Sequence, residues 1–365
     1  MPGAAAALAA VLLLAACAPA APRPTGSAMP GPLPAATTMP RFSGDVFVTA
    51  DGERLPLRRW LPQGPPRAVI LALHGFNDYS QAFAGPAAAW AREGIATYAY
   101  DQRGFGAAPG RGRWWGTEAL AADALAASGI LRRRYPGVPL YLLGESMGGA
   151  VAIVAVTGAA GLPAPAVDGV ILAAPAVQGR ATMGLLPRAL LWIAVRIAPG
   201  LKVTGRQLHI LPSDNLAMLR ALARDPLVIK RTRIDAIWGL VNLMDKALAA
   251  APRLRGPLLI LYGHHDEIIP KEAMRRFVGA LSDRQARFAY YRRGYHMLLR
   301  DREAPLVIAD VASWIGAPDA PLPSGADRGA LAALFGNGAG VLSTAAPAPP
   351  RNRAPLARNA RAGSG

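Results

Sequence analysis

Residues 139–150 read PLYLLGESMGGA, and the fold is decided there. The apolar run LYLL (140–143) is short, follows a proline and ends at Gly144. Such a run fits a strand buried on both faces of a sheet. The segment from Met147 to Ala159 is apolar and small throughout, which fits a buried helix. Ser146 stands at the junction, between Gly144 and Gly148. GESMG alone cannot separate a nucleophile on a strained turn from an ordinary serine in a glycine-rich loop. The order of the neighbouring elements can.

Outward from this stretch, strand and helix patterns alternate. DVFVTADG (45–52) and RLPLRRW (54–60) form a hairpin pattern around Asp51-Gly52. AVILALHG (68–75) is a continuous apolar run, a helix is expected over 81–92, and IATYAYD (95–101) is a further strand. Thr117–Tyr135 carries an Ala/Leu helical period. After the opening stretch come DGVILAAP (168–175), GPLLILYG (256–263) and ARFAYYRR (286–293), each a strand pattern. The alternation predicts an α/β fold with a mostly parallel, eight-stranded sheet flanked by helices. Sheets of this kind place their sites at the carboxyl ends of the strands.

That context gives Ser146 a chemistry. A strand, a sharp turn and a helix in this order are what a nucleophile elbow requires. Gly144 and Gly148 remove side chains where strand and helix must approach closely. A serine needs a base, and the base needs an orienting acid. Of the five histidines, His296 in YHMLLRD follows the last strand, and Asp266 in YGHHDEIIP follows the strand before it. Glu267 is the alternative acid. His264 and His265 are read as loop residues, and no metal-ligand spacing surrounds them. His209 falls in an insertion and reads as a surface residue. His74 follows a buried strand, in LALHGF. The backbone N–H groups of Phe76 and Met147 are assigned to an oxyanion hole, and His74 to packing of the loop.

HGF (74–76), YDQRGFG (100–106), GESMGG (144–149), GHHDEIIP (263–270) and YHMLL (295–299) together resemble the monoacylglycerol lipase/lysophospholipase branch of the α/β-hydrolases, also called serine aminopeptidase S33-like. The blocks occur in the family's order. The resemblance implies an α/β-hydrolase fold and a Ser146–Asp266–His296 triad. It also implies hydrolysis of carboxylic esters of lipid-like substrates, monoacylglycerol or lysophospholipid, without cofactor or metal. His74, Gly75, Gly144, Glu145 and Gly148 would then support the site, and Asp101 and Arg103, with Gly104 and Gly106, would shape a structural loop beside it. Glu145 is a departure, since many members have histidine before the nucleophile. An S33-type aminopeptidase, a thioesterase and a non-catalytic, lipid-anchored binding protein stay as alternatives; the last has no need of all three triad residues.

The family places a lid where this chain has its insertion, residues 176–255. Three helices are expected there, with Ser213 as an N-cap. LLPRALLWIAVRIAPGL (185–201) reads either as a core helix or as an apolar wall for an acyl chain or a membrane. IWGLVNLM (237–244) is a second candidate for an acyl-facing surface.

The formal net charge is +17. The basic residues are mostly scattered arginines, with a short cluster at Arg132–Arg134, no interleaved aromatics and no nucleic-acid motif, so nucleic acid is not expected as a partner. An anionic membrane surface fits better. The leader MPGAAAALAAVLLLAAC has an apolar core too short to span a bilayer, and it suits a signal peptide although it lacks Lys and Arg. LAAC (14–17) resembles a bacterial lipobox, making Cys17 the expected lipidation site and the cell envelope the expected location. By family analogy, Ala18 after the cysteine points to the outer membrane. The sole cysteine excludes an intrachain disulfide. Residues 18–41 are expected as a disordered tether, 42–316 as the hydrolase domain, and 317–365 as a disordered tail. Within that tail only RGALAALF (328–335) has a helical pattern.

Overall fold

The computed structural model describes residues 37–205, 210–282 and 286–336. Cys17, His209 and the segment 337–365 lie outside the described residues. Nine strands make one sheet: β1 (Arg41–Ser43), β2 (Val46–Val48), β3 (Arg54–Trp60), β4 (Ala68–Leu73), β5 (Ile95–Tyr100), β6 (Leu140–Glu145), β7 (Gly169–Ala173), β10 (Leu258–Gly263) and β11 (Ala286–Tyr291). Their spatial order is β1-β2-β3-β5-β4-β6-β7-β10-β11. The pairs from β5 to β11 are parallel, and the first three pairings are antiparallel. The expected count of eight is therefore corrected to nine among the described residues. β1 escaped notice because three residues with one apolar side chain carry no measurable period.

Period 2 explains how the sheet is covered. In β4, Val69, Leu71 and Leu73 enter one core, and Ala68, Ile70 and Ala72 enter the other. The first core is closed by α2 (Thr117–Arg134), α3 (Met147–Val156), α6 (Ile234–Ala250) and α7 (Lys271–Gly279). The second is closed by α1 (Ala84–Arg92) and α8 (Ala304–Gly316), through the buried Trp90 and Trp314. Each fully buried aliphatic side chain contributes roughly 1.5–3 kcal/mol. The sheet is thus fixed from both faces, and the loops at its carboxyl edge hang from a rigid frame.

The insertion holds α4 (Leu185–Ile197), α5 (Leu216–Arg224) and α6, together with the short antiparallel pair β8 (Lys202–Val203) and β9 (Thr232–Arg233). Asn215, not Ser213, caps α5: its side chain accepts from the Met218 N–H. Ser213 is wholly buried, and its hydroxyl accepts from the Asn215 N–H. The helix expected over 81–92 is split into a 3-10 turn, Ser80–Phe83, and α1. The ordered chain also runs past 316. α9 (Ala330–Phe335) buries Ala330 and Leu334, and Arg287 on β11 pairs with Asp327 at 2.6 Å. Leu322 is buried as well, and Tyr290 N and Arg275 Nε donate to Ala326 O and Leu334 O, each at 2.8 Å, so this piece is docked although its composition is that of a tail. None of the described helices is long and apolar enough to cross a membrane.

Candidate active site

Ser146 ends β6 and opens α3. Its backbone sits at φ 54°, ψ −115°, a region side chains rarely occupy and which costs about 1–3 kcal/mol. Three hydrogen bonds hold it there. The Ser146 N–H donates to Ala173 O at 2.9 Å, and its carbonyl accepts from Ala150 N (3.2 Å) and Ala176 N (2.9 Å). The glycines are steric necessities. A Cβ at Gly148 would collide with the Leu73 carbonyl, and one at Gly144 with the Gly148 carbonyl. The strand–elbow–helix crossing therefore closes only with hydrogen at both positions.

The loop after β4 lies against the serine. A Cβ built on Gly75 would stand 3.4 Å from Ser146 Cβ. Among the described residues, neither the Phe76 N–H nor the Met147 N–H donates a hydrogen bond. Both are placed on the two segments that flank the hydroxyl. His74 is wholly buried and committed to the loop. Its Nδ1 donates to Gly75 O at 2.8 Å, and its Nε2 accepts from the Gln102 N–H at 2.9 Å. Burial, opposed by nearby acids, lowers its pKa, so the neutral ring is the stable form. Its ring thus ties the loop after β4 to the one after β5.

Asp266 and His296 are brought together from the ends of β10 and β11. His296 Nδ1 lies 2.9 Å from Asp266 Oδ2, with both side chains buried. The other carboxylate oxygen accepts from Ile268 N and Ile269 N, each at 2.9 Å. Burial alone would lower the His296 pKa. The Asp266 charge and hydrogen bond outweigh it, Glu145 adds to them and Arg300 opposes, so the pKa is raised above 6.5. Glu267, the alternative acid, is exposed and accepts from Leu211 N at 3.4 Å instead. The His264 and His265 rings lie on the outside of this loop. His264 Nδ1 meets Tyr290 Oη at 2.8 Å, and His265 stacks on Tyr295. The Ser146–His296 hydrogen bond is not formed: among the described residues, neither Ser146 Oγ nor His296 Nε2 has a partner. Uncomplexed hydrolase sites often leave this bond long.

The loop of Asp101 and Arg103 is held by buried hydrogen bonds and ion pairs. Asp101 is buried and accepts from Ser80 N (3.1 Å), Ser80 Oγ (2.5 Å) and Ala107 N (2.9 Å). Arg103 forks between Asp123 and Asp51, with four contacts of 2.6–2.8 Å. Its hydrogen bonds to Asp51 hold that carboxyl at about 2.

Two residues of the site escaped sequence reasoning. Arg300 donates to Asp78 Oδ2 at 2.7 Å and to Glu145 Oε1 at 3.0 Å, and all three side chains are at most 10% exposed. Asp78 is three residues beyond Gly75, and Arg300 is four beyond His296. Glu145 was the available signal, because a carboxylate at the end of a buried strand demands a cation.

With this geometry in view, comparison with known proteins is informative. The family model described as Serine aminopeptidase, S33 matches residues 64–303. A monoacylglycerol lipase of Mycolicibacterium smegmatis is 29% identical over 285 residues, covering 74% of this chain and 95% of the relative. A monoglyceride lipase of Rattus norvegicus is 27% identical over 280 residues, covering 74% and 89%. The crystal structure of the Paleococcus ferrophilus monoacylglycerol lipase superimposes with a TM-score of 0.61 at 24% identity, covering 72% of this chain and 98% of that one. That last likeness speaks to the fold alone.

Proposed function

Since the chain belongs to the serine aminopeptidase S33 family of α/β-hydrolases, we propose that it is a serine hydrolase acting on lipid-like carboxylic esters, monoacylglycerol or lysophospholipid. It is a carboxylic ester hydrolase, in keeping with its monoacylglycerol lipase relatives. The observation that carries the finer reading is the buried Asp266–His296 pair at 2.9 Å, set at the same sheet edge as the strained Ser146 turn.

In the proposed mechanism, substrate enters between the β4 loop and the lid, and His296 Nε2 takes the proton of Ser146 Oγ as that oxygen attacks the ester carbonyl. Asp266 fixes the tautomer with the proton on Nδ1 and stabilises the imidazolium. The free N–H groups of Phe76 and Met147 receive the oxyanion. His296 returns the proton to the departing alcohol, leaving an acyl group on Ser146. Water, activated by the same imidazole, then releases the fatty acid. Each step uses only side chains and backbone of this chain.

A second reading, an S33-type aminopeptidase, is favoured by the description of the matching family itself. A thioesterase would use the same residues. One panel separates these: p-nitrophenyl esters of rising chain length, monoacylglycerol, lysophospholipid, acyl-thioesters and aminoacyl-anilides, assayed on purified protein. The reading predicts turnover of monoacyl lipids and labelling of Ser146 by a fluorophosphonate. Efficient cleavage of aminoacyl-anilides with no ester turnover would overturn it.

Location belongs to the same proposal. Cys17 at the end of a signal-like leader supports a diacylglyceryl anchor in a bacterial envelope, which would hold the enzyme beside its substrates. Mass spectrometry of the mature N-terminus tests this. A chain beginning at Met1, or an unmodified Cys17, would end the lipoprotein reading.

A further inference from the structure

We infer that Arg300 is a positioning residue, the clamp that fixes the base loop to the nucleophile elbow and to the oxyanion loop. The inference rests on the serine-hydrolase reading above and deepens it.

Three loops must hold their places for Ser146, His296 and the oxyanion N–H groups to act together. Each comes from a different strand end, and each contributes one member of a buried ionic triplet. Glu145 precedes Ser146, Asp78 lies in the turn that follows Phe76, and Arg300 lies in the loop that carries His296. The guanidinium contacts both carboxylates, at 2.7 and 3.0 Å. A planar fork with fixed N–H directions sets the separation of two acceptors, which a lysine ammonium cannot do. The loop ends are also built to transmit this. The Asp78 N–H donates to Gly75 O, so the carboxylate is rooted in the loop that lies against Ser146. The Arg300 carbonyl accepts from Asn215 Nδ2 at 3.0 Å, so the clamp reaches the base of the lid.

The triplet carries two acids and one base in a buried space, and it is not fully satisfied. Glu145 Oε2 and Arg300 Nε have no partner among the described residues. A structural ion pair placed only for stability gains little under such terms, because desolvation offsets most of the attraction. The placement beside the imidazole gives it a second consequence. The charged groups facing His296 are Asp266 on its own hydrogen bond, Glu145 on the elbow and Arg300 on its own loop, with Asp78 beyond Arg300 and Asp301 at the loop's end. Glu145 favours the imidazolium and Arg300 disfavours it. Arg300 therefore both spaces the loops and keeps Glu145 from over-stabilising the protonated base. A buried glutamate before the nucleophile creates the need for this arginine.

The test is the pH dependence of kcat/KM on a short-chain p-nitrophenyl ester, with fluorophosphonate labelling of Ser146 and circular dichroism run on every variant. Arg300→Met should cut kcat roughly tenfold or more while leaving KM for this small ester nearly unchanged. It should also move the acid limb to higher pH, because Glu145 is no longer opposed. Glu145→Gln should move that limb to lower pH. The double variant Glu145→Gln/Arg300→Met should bring the limb back towards the wild-type position. Arg300→Lys should keep the limb in place, because the charge remains, yet still lose rate, because the fork is gone. Folded, labelled variants whose pH profiles superimpose on the wild type would overturn the inference. If Arg300→Met does not fold, the nearly isosteric Glu145→Gln decides alone. Wild-type protein that Ser146-directed labelling does not touch would instead overturn the serine-hydrolase reading, so the two failures are distinguishable.

Discussion

The turn at Ser146 and α4, the first helix of the insertion, spend their apolar residues in opposite ways. Around Ser146 the chain is apolar and buried: Met147 to Ala155 on α3 are all inside. There His74 and Asp266 are fully committed, through both ring nitrogens and both carboxylate oxygens. On α4 only Pro187 and Leu191 are buried. Leu185 is 83% exposed and Ile197 78%, with Leu186, Trp192 and Ile193 also open to solvent. The core-helix reading of 185–201 therefore fails: most of the apolar side chains of α4 face outward. The other candidate surface, 237–244, goes the opposite way. Gly239, Val241 and Leu243 of α6 are buried, and Gly239 packs under the Trp114 ring. Trp238 is covered by the guanidinium of Arg180, 4.3 Å from its ring. Burial fixes geometry for chemistry at the elbow, whereas exposure on α4 leaves a surface free to meet a greasy partner.

This contrast predicts that changes at the elbow act on every substrate alike. The largest effect is expected from Ser146→Ala, which should lower kcat by roughly 10⁴-fold or more on soluble and lipid esters and abolish fluorophosphonate labelling. Retained turnover on any ester would break the assignment. Asp266→Asn should follow, with about a 10⁴-fold loss at neutral pH, because the amide stabilises neither the tautomer nor the imidazolium. The matching change at Glu267, Glu267→Gln, should leave rates within about twofold, since its carboxylate reaches only Leu211 N at 3.4 Å.

The elbow was also the more legible region, for a physical reason. Burial on both sheet faces writes unbroken apolar runs, and collision with Leu73 O and Gly148 O writes glycine at 144 and 148. Both are local signals. Ser146, Asp266 and His296 could be proposed because strand ends are legible and parallel sheets bring them to one edge. The Arg300–Glu145–Asp78 triplet was illegible, because its members are 67 to 222 residues apart in pairs, as positions 78, 145 and 300 show, and ion pairs leave no period. The helices of the insertion were legible but not the exposure of α4, since an apolar helix reads alike in a core or on a surface. Residues 317–336 read as a tail because Ala, Pro and Gly composition outweighs three buried side chains, Leu322, Ala330 and Leu334, and the Arg287–Asp327 pair.

A smaller effect is expected from pH. The raised His296 pKa places the half-maximal point of the acid limb above 6.5. The base works only when deprotonated, so kcat/KM should rise with pH through that point and fall about tenfold for each unit below it. The profile should be the same for short and long esters, because the imidazole belongs to the elbow region. A limb centred well below 6.5 would show that Asp266 does not govern the base in solution.

The smallest effect should come from the lid, and it should discriminate between substrates. Trp192→Ser and Ile197→Asp remove exposed apolar surface from α4 without touching a described hydrogen bond of the side chain. Neither should alter kcat/KM on a short, soluble ester by more than about twofold, nor the melting temperature by more than a degree or two. On monoacylglycerol presented in micelles or vesicles, the loss should be about three- to tenfold, and additive between the two positions because each removes separate contact area. The connectors should not share this selectivity. Met297 N bonds Pro212 O, Tyr79 Oη bonds Asp225, and Ile229 N bonds Asn77 O, so the insertion is stitched to the loops after β4 and β11. Tyr79→Phe should therefore slow soluble and micellar substrates together. If instead it affected only micellar substrate while Ile197→Asp slowed both, the division between a fixed base and a free apolar helix would be the wrong way round.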